Sequence, residues 1–231
     1  MAPLPSLCAH QIAMMIDDLP AEPEVNCDHC PRLVSFRNQH KQEHPDWHNG
    51  PVRSFGPQDA TLLIVGLAPG LRGANATGRP FTGDGAGDTL YPILIDLGIA
   101  QGSYKAHQDD GLSMSSTRIT NAVRCVPPQN KPTSDEARRC RVFLRSEIKH
   151  MKNLRVIVAL GRIAHDNVLR ALDKPLSAAS FAHGKIHHVD QYFVHDSYHC
   201  SRYNMNTNRL TASMLSDVLR AAQLNANRSS Q

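Results

Sequence analysis

Short apolar runs at residues 61–66, 118–123, 155–160 and 192–195, each closed by a turn or helix signal, constrain this chain more than any other feature. Runs of this length and composition read as strands buried on both faces of a parallel sheet. Helical patterns fill the intervals at residues 88–97, 134–151, 163–172 and 209–223. Thr133 followed by Glu136 spells a capping box in front of the second of these. The alternation predicts an α/β fold of three layers, a central, mostly parallel four-stranded sheet with helices on both faces. Ligands of such sheets bind beyond the carboxyl ends of the strands, which directs attention to the segments after Val65, Val123, Leu160 and His195.

Composition sets the outer limits. A chain of 231 residues, 41% hydrophobic and 20% charged, suffices for one domain with a full core. A Pro-containing leader over residues 1–25 and a polar tail over 224–231 are expected to be loose, leaving 26–223 as the folded domain. No apolar stretch approaches the roughly 20 residues of a membrane span, and no basic region precedes apolar residues at the start, so a cytoplasmic protein is expected. The balance of 25 Lys+Arg against 21 Asp+Glu, a net +4, favours a polyanionic partner without selecting one.

Six cysteines without a secretory signal point to metal ligands or free thiols rather than a disulfide framework. Cys27 and Cys30 form a CxxC, Cys125 follows a predicted strand, and Cys140 lies on the next helix. Soft thiolates in two separated pairs suit either a tetrahedral zinc or an iron-sulfur cluster, and the residue types do not choose between them. Cys8 and Cys200 are read as free thiols.

Directly after the first strand stands Gly66-Leu67-Ala68-Pro69-Gly70, and beyond it a Gly- and Pro-punctuated loop carrying Phe81 and Asp84. Glycine permits close approach of backbone to a ligand, so this turn suits a flat base or a phosphate. It lacks the Gly-Lys-Ser/Thr ending of a P-loop, which argues against a nucleotide-dependent transferase. Late in the chain, His199, Ser201, Arg202 and Asn204 share a polar loop beyond the last predicted strand, where a site at the sheet end would be completed.

Taken in order, the CxxC, Pro51-Val-Arg-Ser-Phe-Gly56, the Gly66 turn, Thr77-Gly-Arg-Pro-Phe-Thr-Gly-Asp84, Thr120-Asn-Ala-Val-Arg-Cys-Val-Pro-Pro128, Asn130-Lys-Pro-Thr133, Cys140 and the His199 loop resemble the uracil-DNA glycosylase superfamily. Leu67, where the fourth family carries an acidic residue, places the resemblance with the fifth, iron-sulfur-containing family. Two departures stand out: His-Pro-Ser reads His199-Cys200-Ser201, and Asn-Arg-Thr-Gly reads Asn75-Ala76-Thr77-Gly78.

The resemblance implies a monofunctional DNA glycosylase that flips uracil, and other deaminated bases such as hypoxanthine, out of DNA and hydrolyses the N-glycosidic bond. It implies a structural 4Fe-4S cluster on Cys27, Cys30, Cys125 and Cys140, with zinc as the alternative metal. Expected roles are catalysis by Asp84 and His199, base binding by Gly66, Leu67, Ala68, Gly70, Phe81 and Asn121, and DNA binding by Ser201, Arg202 and Asn204. Damaged DNA is the expected partner, no membrane is involved, and a monomer is expected. The competing reading is a metal-stabilised DNA-binding module without catalysis.

Overall fold

A computed structural model of the protein describes residues 22–228. The first half contains α1 (Pro31–Glu43), β1 (Leu62–Gly66), α2 (Ala74–Thr77), α3 (Gly85–Asp96), the two-residue strands β2 (Ala100–Gln101) and β3 (Ser113–Met114), and β4 (Thr117–Asn121). The second half contains α4 (Ser134–His150), β5 (Val156–Leu160), α5 (Arg162–Ala171), β6 (Ile186–Val189), β7 (Tyr192–Ser197), α6 (Arg202–Asn206) and α7 (Ala212–Asn227).

The main sheet runs β4-β1-β5-β7-β6, with the first four strands parallel and β6 antiparallel on the edge. It has five strands where four were expected. The fifth, Ile-His-His-Val, alternates exposed and buried residues and presents no apolar run; it joins by a tight hairpin through Asp190, whose φ is +51°. Strands β1 and β5 are buried along their whole length, as strands covered on both faces must be.

One face of the sheet packs Leu62, Ile64, Val156 and Val158 against α3 and α7, through Leu90, Leu94, Leu215 and Leu219. The other packs Leu63, Val65, Ile157 and Val194 against α4 and α5, through Leu144, Ile148, Val168 and Leu169. The side chain and backbone of Thr133 and Glu136 form the expected capping box at the start of α4.

Three boundaries differ from expectation. Helix α1 was not foreseen: it buries only Leu33, Arg37 and His40, so no apolar stripe marks it. The tail expected from residue 224 is helical through Asn227, because α7 continues far enough to bury Ala226 in the core; residues 229–231 lie outside the described part. Of the leader, residues 1–21, Cys8 included, also lie outside it, but Glu22 is anchored. Its carboxylate pairs with Arg118 and Arg124, each at 2.9 Å, and both arginines also bind the fully buried Glu147 of α4. Arg124 is itself 1% exposed, so a buried guanidinium, the partly exposed Arg118 and two carboxylates close a network that reaches from Glu22 to α4. No helix among the described residues is long and apolar enough to cross a membrane.

Candidate active site

The parallel strands end at Gly66, Asn121, Leu160 and Ser197, and the segments that leave them converge. Gly66 stands in register beside Asn121. A Cβ on Gly66 would fall closer than 3.0 Å to both the Asn121 side-chain oxygen and the Phe81 ring, so the missing side chain is what lets amide and ring meet over this backbone. Asn121 is 3% exposed and Phe81 6%, Phe81 in the left-handed region at φ +53°. The Phe81 ring lies against the His199 imidazole, centroids 5.9 Å apart and planes 28° from parallel.

Asp84 works in two directions. Its Oδ1 caps α3, accepting from the backbone N–H of Ala86 at 3.1 Å and Gly87 at 3.3 Å. Its Oδ2 faces Gly70 and Gly73, at both of which a Cβ would again approach it closer than 3.0 Å. The Gly66–Gly70 turn is thus folded over a carboxylate.

Burial holds the His199 imidazole below the usual histidine range, and the nearby Asp84 charge only partly offsets this. The ring is therefore neutral at neutral pH, with one N–H to donate and one nitrogen to accept. The His199 carbonyl accepts from Asn204 Nδ2 at 2.8 Å, and Ser201 caps α6 by accepting from Asn204 N. Ser201 and Asn204 therefore shape the loop that presents His199. Arg202 is exposed, with its guanidinium beside Gly85 at the start of α3. Cys200 is a free thiol, as expected, and is fully buried in the core next to His199, its pKa pushed up to about 12 by burial.

A cleft of about 710 Å³ opens beside His199 and Leu67. Sequence reasoning missed several of its walls, among them Arg162, Phe181, His183, Tyr198 and Arg209. Arg162 lies over Phe181 at 5.3 Å and Arg209 over Tyr198 at 4.7 Å, so two guanidiniums rest on aromatic faces in the same opening. Arg162 was within reach of the strand-end rule, since it follows β5 by two residues. Phe181 and His183 sit in an irregular loop with no local signal.

The four expected metal ligands come together. Cys27, Cys30, Cys125 and Cys140 are free thiols that line one small pocket with Leu33, Val123 and Phe143. Arg37 donates to Cys125 Sγ at 3.2 Å and to the Cys27 carbonyl at 2.7 Å, and the Arg124 N–H donates to Cys140 Sγ at 3.3 Å. Burial pushes the Cys30 thiol up to about 11 and Cys140 to about 12, and raises Cys125 as well. Ala68 packs on this cluster while Leu67 faces the cleft, so adjacent residues of one turn touch thiols and cleft.

The strand ends of this parallel α/β sheet thus gather an aromatic face, an amide, a carboxylate and a neutral imidazole beside a cleft that carries two guanidiniums. The family model for the uracil DNA glycosylase superfamily matches residues 53–223. The chain is 40% identical to a type-5 uracil-DNA glycosylase of Pyrobaculum aerophilum, covering 87% of this chain and 90% of that protein. It is 41% identical to the type-5 enzyme of Thermus thermophilus, over 85% and 92%, and 40% identical to that of Mycobacterium leprae, over 87% and 94%. The chain belongs to the uracil DNA glycosylase superfamily and, within it, to the type-5 family.

Proposed function

We propose that this protein excises uracil from DNA by hydrolysing its N-glycosidic bond, leaving an abasic site. The observation that carries the reading is the convergence of Gly66, Phe81, Asn121, Asp84 and His199 on one set of strand ends. A base must leave the helix to enter such a niche, at a cost of a few kcal/mol that is lowest for mismatched bases. Phe81 offers the flipped base a stacking face, and the Asn121 amide pairs with its C=O/N–H edge as donor and acceptor. Backbone N–H groups of the Gly66, Leu67, Ala68 and Gly70 turn face the remaining carbonyl oxygens. Hypoxanthine presents the same adjacent C=O and N–H, so it is a second substrate.

Cleavage leaves positive charge on the sugar and an electron pair on the departing base. A neutral His199 donates its N–H to the anionic base, where a fixed donor in a water-poor site is most effective. Asp84 stabilises the cationic sugar and orients the water that adds to C1′, whose displaced proton ends on the base. Arg202, with Arg162 and Arg209 across the opening, binds phosphates, while Ser201 and Asn204 hold the loop that carries His199 against the DNA.

Cys27, Cys30, Cys125 and Cys140 fit a 4Fe-4S cluster better than a single zinc. Among the described residues, the one grouping of three such donor atoms all within 4.8 Å of one another is His165, His187 and Asp196, so no three of the thiol sulfurs are that close together. A lone zinc with bonds of about 2.3 Å needs its sulfurs closer than that. Cys27, Cys30, Cys125 and Cys140 would hold such a cluster in a structural role, joining the start of α1, α4 and the segment after β4 beside Ala68 of the Gly66 turn.

The test is single-turnover excision from a duplex with one U·G pair, read as strand breaks after alkali. Wild type is expected to cut, and His199→Ala and Asp84→Asn to be about 10²–10⁴-fold slower with DNA binding retained. Wild type that binds the duplex and leaves the base in place would support a DNA-binding module instead.

A further inference from the structure

We propose that Asp110, acting through Arg79, is a positioning residue for the base-stacking ring of Phe81, an inference that rests on the glycosylase reading above. Phe81 holds a left-handed backbone conformation that a bulky side chain disfavours, so its surroundings must impose it. They do so from both sides of the loop. The Pro80 carbonyl accepts from Tyr91 Oη at 2.6 Å and from Thr82 Oγ1 at 3.1 Å. Tyr104 Oη accepts from the Gly83 N–H at 3.2 Å and donates to the Phe81 carbonyl at 3.5 Å.

Arg79 sits at the centre of this frame. Its Nε donates to Thr82 Oγ1 at 2.8 Å, and its guanidinium lies 5.1 Å from the Phe55 ring centre, 5.2 Å from Tyr91 and 5.9 Å from Tyr104. The two terminal nitrogens meet the two Asp110 oxygens at 2.7 Å each, a fork-to-fork pair. Arg79 is 4% exposed and the Asp110 side chain fully buried. The same carboxylate accepts from the Lys105 N–H at 2.9 Å and the Leu112 N–H at 3.1 Å, closing the loop that brings Tyr104 to the frame. One carboxylate therefore anchors both the cation under the Phe81 loop and the tyrosine that holds its carbonyl.

Arg79, Asp110, Tyr91 and Tyr104 do not line the cleft beside His199, and their hydrogen bonds converge on the loop that carries Phe81. Asp110→Asn keeps the size of the side chain and removes its charge. The variant is expected to excise uracil about 10- to 100-fold more slowly at saturating enzyme, the scale of a slightly misplaced reacting group, with DNA affinity within about two-fold of wild type. In a Phe81→Ala background, adding Asp110→Asn should cost less than about two-fold more, because residues acting as one unit are not additive.

Multiplicative losses in that cycle would overturn the proposal, since they would mean that Asp110 acts independently of the ring. Where Asp110→Asn does not fold, Arg79→Lys retains the cation and loses the fork, and enters the same cycle. Protein labelled with 4-fluorophenylalanine gives a second readout. The Phe81 resonance, assigned by Phe81→Leu, should shift or broaden in Asp110→Asn, and an unchanged resonance would also overturn the proposal. That spectrum reads the ring's placement even if wild type fails to excise uracil, so loss of the activity and loss of this inference remain separate results.

Discussion

Phe81 and His199, from early and late in the chain, lie ring against ring with centroids 5.9 Å apart, and the Phe81 ring covers Gly66, which has no room for a methyl group. Gly66→Ala would place a carbon inside both the Phe81 ring and the Asn121 amide. It is expected to slow uracil excision about 10²-fold or more, the effect of a roughly 1 Å misplacement. Single-turnover kinetics beside a thermal melt will separate this from unfolding.

Asp84 caps α3 with one carboxylate oxygen, and the proposed reaction gives it a second role at the sugar; two substitutions pull the two apart. Asn retains the capping oxygen, so Asp84→Asn should keep wild-type stability and lose excision. Asp84→Ala loses the cap of α3 as well, and should be less stable by about 1 kcal/mol in chemical denaturation. Equal stabilities for the two variants would show that Oδ1 contributes nothing to the helix.

Cys140 joins α4 to the pocket of thiols and accepts from the Arg124 N–H. Cys140→Ser, purified without oxygen, is expected to carry little iron, to lack absorbance near 400 nm, and to melt lower than wild type. Zinc in place of iron in the wild-type protein, by elemental analysis, would select the other metal.

Burial lowers the pKa of His195 to about 4, with Asp196 nearby raising it only in part, and Asn225 donates to its ring at 3.1 Å. An unfolded histidine titrates near 6.5, so between about pH 6.5 and 4 the unfolded chain binds the extra proton and the native state does not. Stability must then fall as pH is lowered through that window, by up to about 3 kcal/mol from this residue. Denaturation midpoints of wild type and His195→Gln between pH 4 and 8 should converge toward the acid end. His165 has the opposite sign. Although its burial opposes the charge, its hydrogen bonds to Asp196 and the Ala179 carbonyl raise its pKa, so that contribution is lost as pH rises through the folded value.

The parts of the fold legible in the sequence are those with a local pattern. Four parallel strands announced themselves as apolar runs, α4 through its capping box, and the meeting of Gly66, Phe81, Asp84 and His199 through their place in the loops that follow the first and last parallel strands. What escaped was long-range and polar. Helix α1 has a polar exterior and is pinned by Arg37 to Cys27 and Cys125. Strand β6 presents two histidines in four residues, and Glu22 finds Arg124 across most of a domain's sequence. The Arg79–Asp110 pair belongs to the same class: charges that meet only once the sheet has brought their loops together leave no periodic trace.

Glu22 lies upstream of every helix and strand described, yet it supplies counter-charge to a cation with no path to water. A shortened chain beginning after it would leave Arg118 and Arg124 to share Glu147 alone. Because Arg124 keeps Glu147 and Ser54 while losing one charged partner, the loss is that of a charge-assisted hydrogen bond, about 1.5–3 kcal/mol, still a sizeable part of what holds a domain this size together. The smallest version of the protein that folds well therefore starts at or before Glu22, although the family motifs begin only at the first CxxC.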